Sequence, residues 1–252
     1  MRALYEFARS QARVVATRPM NLATGIVFPL MLMTLLTLPR IDSLDATEAT
    51  AVFTGVLLAS FWSASLWSGA GILRRERWMG TLAPSFTGRA SPLTVLVGKT
   101  LGGVVFDVAL IGVSNTAFVV LFGIHVEIAH PWAFAAGIVA VIVCGVASSL
   151  LIGAALILSR HAFQLTTAFG TPVLLLGGTI IPHDVLPAWL AALGNAINLA
   201  WLQRFLASTA TSPQWGALVI GVAISAAYAG LGARCVHVML RRARKEGALE
   251  LA

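Results

Sequence analysis

Read for its alternation of apolar and polar positions, the chain is a succession of long apolar runs separated by short charged clusters. The runs lie near Asn21–Leu38, Ala49–Leu73, Val95–Phe122, Trp132–Leu158, Gln164–Ile181 and Gln214–Leu240. Each is close to or above the ~20 residues that a helix needs to cross a hydrocarbon core of ~30 Å. Six membrane-spanning helices are therefore expected, in an all-α integral membrane protein. The third run exceeds the bilayer and is expected to tilt or to project from it. Pro29 and Pro172 fall inside runs, where a neighbouring helix can satisfy the carbonyl that each proline frees.

Ahead of the first run, residues 2–18 have helical periodicity. Arg2, Glu6, Arg9 and Arg13 share one face, and Leu4, Phe7, Ala8 and Val15 share the other. Such a helix lies flat in the membrane interface with its arginines toward anionic headgroups; the alternative is a basic flank of the first span. Two further segments do not read as lipid-facing helix. Residues Arg74–Lys99 are too apolar for a disordered tail and too long for a tight hairpin. They fit a short amphipathic helix that presents Arg75, Glu76 and Trp78 to a partner, or a solvated basic loop. Residues Gly177–Ser208 are apolar but interrupted by Pro182, Pro187, Asn195 and Asn198. A re-entrant or interfacial helix pair suits them, because broken backbone at membrane depth must be buried in protein or line a wet cavity. Trp189 and Trp201 would anchor that pair at the interface.

Composition agrees with a membrane protein. Of 252 residues 58% are hydrophobic and 11% charged, and the mean hydropathy is +0.87, far from the quarter charged that is usual in soluble domains. The +7 net charge sits in clusters between apolar runs, without the interleaved aromatics of a nucleic-acid surface. Arg2, Arg9, Arg13 and Arg18, then Arg74, Arg75, Arg77 and Arg89, then Arg160, then Arg241, Arg242, Arg244 and Lys245 all fall on one side of a six-span layout. The other side holds Arg40 and Arg204 among acidic residues, so both termini are expected in the cytoplasm. Fifteen of the 17 basic residues are arginine, which hints at a GC-rich genome.

Candidate chemistry is sparse. Gly98-Lys99-Thr100 matches the end of a phosphate-binding P-loop, but Leu93 stands where its first glycine belongs. With lipid where the supporting strand should be, the match reads as accidental. Cys144 and Cys235 have no metal-ligand spacing and read as small buried side chains. His125, Glu127 and His130 do not have zinc-helix spacing and lack a third firm ligand, so no metal is expected. No nucleophile, base and acid converge, which argues against an enzyme. Asp107 is acidic and deep in the third run, with Ser114 on the same helical face and Asn115 beside it. Either these line a substrate path, which an intramembrane carboxylate suggests, or they are hydrogen-bonded for packing. Gly98-x-x-x-Gly102 and Ser149-x-x-x-Gly153 offer close-packing faces within one chain or between two.

Glu76, then Gly80-Thr81-Leu82, then Gly98-Lys99, resembles the E-x-x-x-G-T-L…G-K signature of permease subunits of ABC-2-type transporters. Ala83 departs from it, since an acidic residue is usual there. Gly178, Pro182, Leu186, Pro187, Trp189 and Leu190 are similar to the Gly…Pro…Leu-Pro-x-Trp-Leu pattern that the family carries before its last span, and Asn198 stands where a later proline is common. The resemblance implies one transmembrane domain over residues 1–252. Its parts would be an interfacial helix (1–20), a cytoplasmic coupling segment (74–94), an external hairpin (182–213) and a cytoplasmic tail (241–252). It further implies an ATP-binding partner subunit docking on Arg74, Arg75, Glu76, Arg77, Trp78, Gly80, Thr81 and Leu82. A second permease subunit, identical or related, would complete the pathway. ATP and magnesium would belong to the partner, and this chain would hold no cofactor. Expected is a multi-pass exporter subunit of a bacterial plasma membrane. Nearly uncharged spans with Phe61, Trp62, Trp67, Phe106 and Phe118 favour a lipophilic or amphipathic drug-like substrate, such as an antibiotic. The candidate pathway residues are Phe61, Trp62, Phe106, Asp107 and Ser114. Export of a lipid or polysaccharide, or a secondary transporter or channel, are the alternatives.

Overall fold

The structure, a computed structural model, describes residues 2–66, 71–72, 91–158, 170–180 and 186–246. Within these residues the chain is helical and has no strand. Its helices are α1 (Arg2–Ala16), α2 (Pro19–Thr37), α3 (Ala46–Ala64), α4 (Pro92–Phe122), α5 (Pro131–Leu158), α6 (Ala188–Gly194), α7 (Asn198–Ala207) and α8 (Trp215–Glu246). A further helical segment covers residues 170–176.

Local sequence sets most of the ends. Asp45 caps α3 by accepting the Glu48 amide at 2.6 Å. Ser91 caps α4, accepting the Thr94 amide at 3.2 Å, with Pro92 at the first helical position where its missing N–H is harmless. Gly123, at φ 64°, ends α4 in the left-handed conformation that glycine adopts without strain. Between α1 and α2, Arg18 is extended and Pro19 starts the new helix.

Among the described residues, four helices are long and apolar enough to cross a membrane: Asn21–Arg40, Pro92–Phe122, Pro131–Ala154 and Trp215–Val238. They correspond to the first, third, fourth and sixth expected spans. The expected second span begins as α3 at Ala46, carries Thr50, Thr54 and Ser60, and runs toward residues 67–70 and 73, which lie outside the described residues. Its hydroxyls are shielded: 13 of its 19 residues are buried, with α2, α4 and α7 packed around it. A helix shielded by its neighbours need not be apolar toward lipid. Part of the expected fifth span lies outside the described residues; the remainder is the helical segment 170–176, followed by a turn at Gly177-Gly178.

Among the described residues, one of the two most extensive contacts joins α1 to the N-terminal half of α4. Leu4 and Phe7 sit over Gly98, and a Cβ on Gly102 would run into the backbone of Ala8. The two helices thus advance together along a groove that exists because two glycines four residues apart leave it empty. The apolar face of α1 is accordingly turned to α4: Val15 is fully buried and Gln11 nearly so, while Glu6, Arg9 and Arg13 are exposed. Gly98-x-x-x-Gly102 is used inside the chain. The P-loop match falls within this same helix, where the amides hydrogen-bond along the helix instead of facing a phosphate.

Two glycines of α4 should respond oppositely to substitution. Gly102→Val meets backbone that cannot yield, and should destabilise the chain by ~1–3 kcal/mol with faster proteolysis of α1. A Cβ on Gly112 meets nothing within 4 Å, so Gly112→Ala should be neutral or gain up to ~1 kcal/mol from helix propensity. Thermal unfolding in detergent, read with limited proteolysis, measures both.

Candidate functional site

The hydrocarbon interior offers no water to a stray polar group, so the polar side chains of the bundle show what holds it. Pro29 cannot donate to the carbonyl of Gly25, one turn earlier in α2. That carbonyl instead accepts from Ser114 Oγ of α4 at 3.2 Å, a hydroxyl that also lies 2.9 Å from Leu110 O in its own helix. The α2–α4 contact is closed at the same level by Gly25, which faces the side chain of Leu110.

A second set pins α7. Asn198 Nδ2 donates to Ser148 Oγ of α5 at 3.0 Å and to Ser225 Oγ of α8 at 2.8 Å. Gln203 Nε2 donates to Ala51 O at 3.0 Å and lies 3.3 Å from Thr54 Oγ1, both of α3. Around these amides Leu199, Ala200, Leu202, Phe205 and Leu206 are buried, and Phe205 stacks obliquely on Trp215 at 5.3 Å. α7 is therefore a wedge among α3, α5 and α8. The turn before it is closed by Trp201 Nε1 to Asn195 O and Arg204 to Asn195 Oδ1, with the Arg204 guanidinium over the Trp201 ring at 4.7 Å. Leu186 is half-buried, Pro187 and Trp189 are exposed at the start of α6, and Pro182 lies outside the described residues.

The residues read as a pathway face inward. Phe61, Trp62, Asp107 and Ser114 are buried and Phe106 is half-buried. The Phe61 ring lies where a side chain on Gly145 of α5 would be. Asp107 is engaged within the chain, and the Ser114 hydroxyl is held by the α2–α4 contact. Beside Ser114, Asn115 is fully buried with neither amide atom hydrogen-bonded. All eight residues read as a docking surface, Arg74, Arg75, Glu76, Arg77, Trp78, Gly80, Thr81 and Leu82, lie outside the described residues.

What sequence reasoning missed is a groove between α4 and α5, floored by α3. Its volume is about 860 Å³, and it is lined by Phe53 and Leu57 of α3, Val108 to Leu121 along one side of α4, and Phe134 and Ile138 of α5. It continues the face of α4 that seats α1. Where α1 stops, Ala109, Gly112, Thr116 and Ala117 leave the same shallow surface uncovered. Spacing of small residues along the run was the available signal. The loop linking α4 to α5 is fixed to α3, since Thr50 Oγ1 accepts the Glu127 amide and lies 2.9 Å from Glu127 O. His130 in that loop reaches Thr211 O at 3.1 Å, and among the described residues no three metal-ligating side chains converge.

The chain matches the family model described as ABC-2 type transporter over residues 4–209, from α1 through the end of α7. No curated protein matches it.

The Gly25 contact gives a double-mutant test. Ser114→Ala should destabilise the chain by ~1 kcal/mol, within the range measured for interhelical hydrogen bonds in membranes. In a Pro29→Ala background the new amide can bond Gly25 O within α2, so the same substitution should there be nearly neutral. Unfolding midpoints of the four proteins in one detergent measure the coupling.

Proposed function

The chain belongs to the ABC-2 type transporter family, as a membrane-embedded permease, and on that premise we propose that it exports a lipophilic or amphipathic small molecule such as a drug or antibiotic. The groove between α4 and α5 carries this reading. Its volume of about 860 Å³ is in the 300–1,000 Å³ range of pockets that hold drug-sized ligands. Apart from Thr116 its lining is apolar, which suits hydrocarbon-soluble compounds and gives a sugar one hydroxyl to bond. An acyl chain would fit the same walls, so a lipid is the second reading that this observation favours.

In the proposed assembly the chain has six spans, with α3 as the second and the segment ending near residue 181 as the fifth. Both termini are cytoplasmic, and the hairpin of α6 and α7 enters from outside. Two permease subunits enclose the pathway, with Phe61, Trp62, Phe106, Asp107 and Ser114 on its way. A separate ATP-binding subunit docks on residues 74–94 and supplies the nucleotide chemistry with its own magnesium. ATP-driven closure of that subunit would tilt the bundles and open the pathway outward.

Two measurements test this. Affinity purification from native membranes in mild detergent should recover an ATPase with intact Walker motifs, and Glu76→Ala with Gly80→Val should abolish the recovery. Repeated isolation of the chain alone would point to a self-sufficient transporter. Gly112→Phe fills the groove without a neighbour to displace at its Cβ. It should lower efflux of a lipophilic fluorescent dye at least ~10-fold, the scale of a lost hydrophobic contact of 1–3 kcal/mol, while the ATPase still co-purifies. Unchanged dye efflux with the groove filled would remove the groove from the pathway.

A further inference from the structure

α8 carries a face that nothing in the described chain covers. One side is packed: Ala217, Gly221, Ser225 and Val236 are buried, and Gly232 lies against the backbone of Leu150 and Leu151 in α5. The opposite side is open along its whole apolar length, with Val219, Leu231 and Val238 exposed by 67%, 55% and 46%. An apolar surface of that extent on a membrane helix meets acyl chains.

On this open side the apolar character ends in basic residues. Arg234 and His237 are both exposed, and no hydrogen bond or ion pair with a described residue engages either. The stretch apolar enough to cross a membrane runs to Val238, so Arg234 sits one helical turn inside it. A guanidinium at that depth is costly unless its long stem carries it to the headgroups and a counter-anion meets it there. Beyond Val238 the helix continues without interruption to Glu246. Its register brings positions 241 and 245 (Arg241 and Lys245) onto the line of Arg234, two and three turns further on. α8 also lies beyond the part of the chain that the family model matches.

We propose that the open face of α8 that ends at Arg234 is a binding site for an anionic phospholipid. Its phosphodiester headgroup is held by Arg234, with the basic positions further along the sequence adding charge, and its acyl chains lie along Leu231, Ala227, Ala223 and Val219. The charge pattern selects the occupant. A second copy of the chain would have to bring carboxylates to this face, whereas the bilayer already presents phosphates within reach of the long Arg234 side chain. Attraction to anionic headgroups contributes about 1 kcal/mol per basic residue near the surface, so the stripe should discriminate charge rather than chain type.

The test uses the full chain in detergent micelles, with native mass spectrometry counting retained phosphatidylglycerol against phosphatidylcholine over a titration. The native protein should retain phosphatidylglycerol preferentially. Arg234→Gln with Arg241→Gln should lower its apparent affinity about 25-fold, about fivefold per charge removed. Arg234→Lys, which keeps the charge, should preserve the preference and shows that the position tolerates change. Neutralising the exposed arginines of α1, Arg9→Gln with Arg13→Gln, should lower the preference by a clearly smaller factor. The proposal is overturned by native-like binding in the α8 double variant, or by an equal loss in the α1 variant. It is also overturned if millimolar inorganic phosphate displaces the lipid, since the site would then recognise free phosphate, or if cross-linking finds a second copy on this face in phosphatidylglycerol membranes.

Discussion

The bundle depends on one constraint: inside hydrocarbon, a backbone or side-chain polar group finds its partner in the protein or goes without. Pro29 frees the Gly25 carbonyl, and Ser114 of the neighbouring helix answers it. That single hydroxyl fixes the rotation of α4 about its own axis relative to α2. With α4 so fixed, Gly98 and Gly102 point at α1, and Val108, Gly112 and Thr116 point at the groove. The seat of the amphipathic helix and the candidate ligand surface are thus two halves of one face, set by a contact made on another side of the helix.

Much of this was legible because lipid enforces simple patterns. Long apolar runs marked α2, α4, α5 and α8, and the alternation of Arg2, Glu6, Arg9 and Arg13 with Leu4, Phe7 and Val15 marked α1. Less legible was what each face meets. Periodicity says that Leu4, Phe7 and Val15 are buried together, but not whether lipid or protein buries them, and the glycines that decide it lie some 90 residues further on. Ser114 looked like part of a polar stripe because spacing within α4 is visible in sequence, while the proline that requires its hydroxyl is in another helix. The groove was unreadable for a related reason: a cavity is a property of three helices at once, and its walls are ordinary Val, Ala, Leu and Phe.

Asn198 illustrates what a departure from a family pattern can mean. A proline at this position could make no side-chain hydrogen bond, whereas the amide here bridges α5 and α8 through Ser148 and Ser225. Buried amides of this kind are valuable only when satisfied. Here both donor contacts of Asn198 are short, while Gln203, five residues on, donates toward α3 but leaves its Oε1 buried without a hydrogen bond. Neither serine partner carries a signal of its own in the sequence, since hydroxyls in apolar helices usually bond back to their own turn.

Polar satisfaction is unevenly distributed along α3, and that bears on how the bundle can move. At its N-terminal end Thr50 and Thr54 are bonded to the α4–α5 loop, to their own turn and to Gln203. Toward its C-terminal end Ser60 Oγ, Trp62 Nε1 and Ser65 Oγ are buried without partners, as are Ser149 Oγ in α5 and both amide atoms of Asn115 in α4. Rearranging the end that holds α7 breaks several hydrogen bonds in a medium that cannot replace them, at ~0.6 kcal/mol or more apiece. Among the described residues, α3 is therefore anchored at its N-terminal end. For a permease whose work requires helices to shift, the stiff end of α3 is the one wedged by α7.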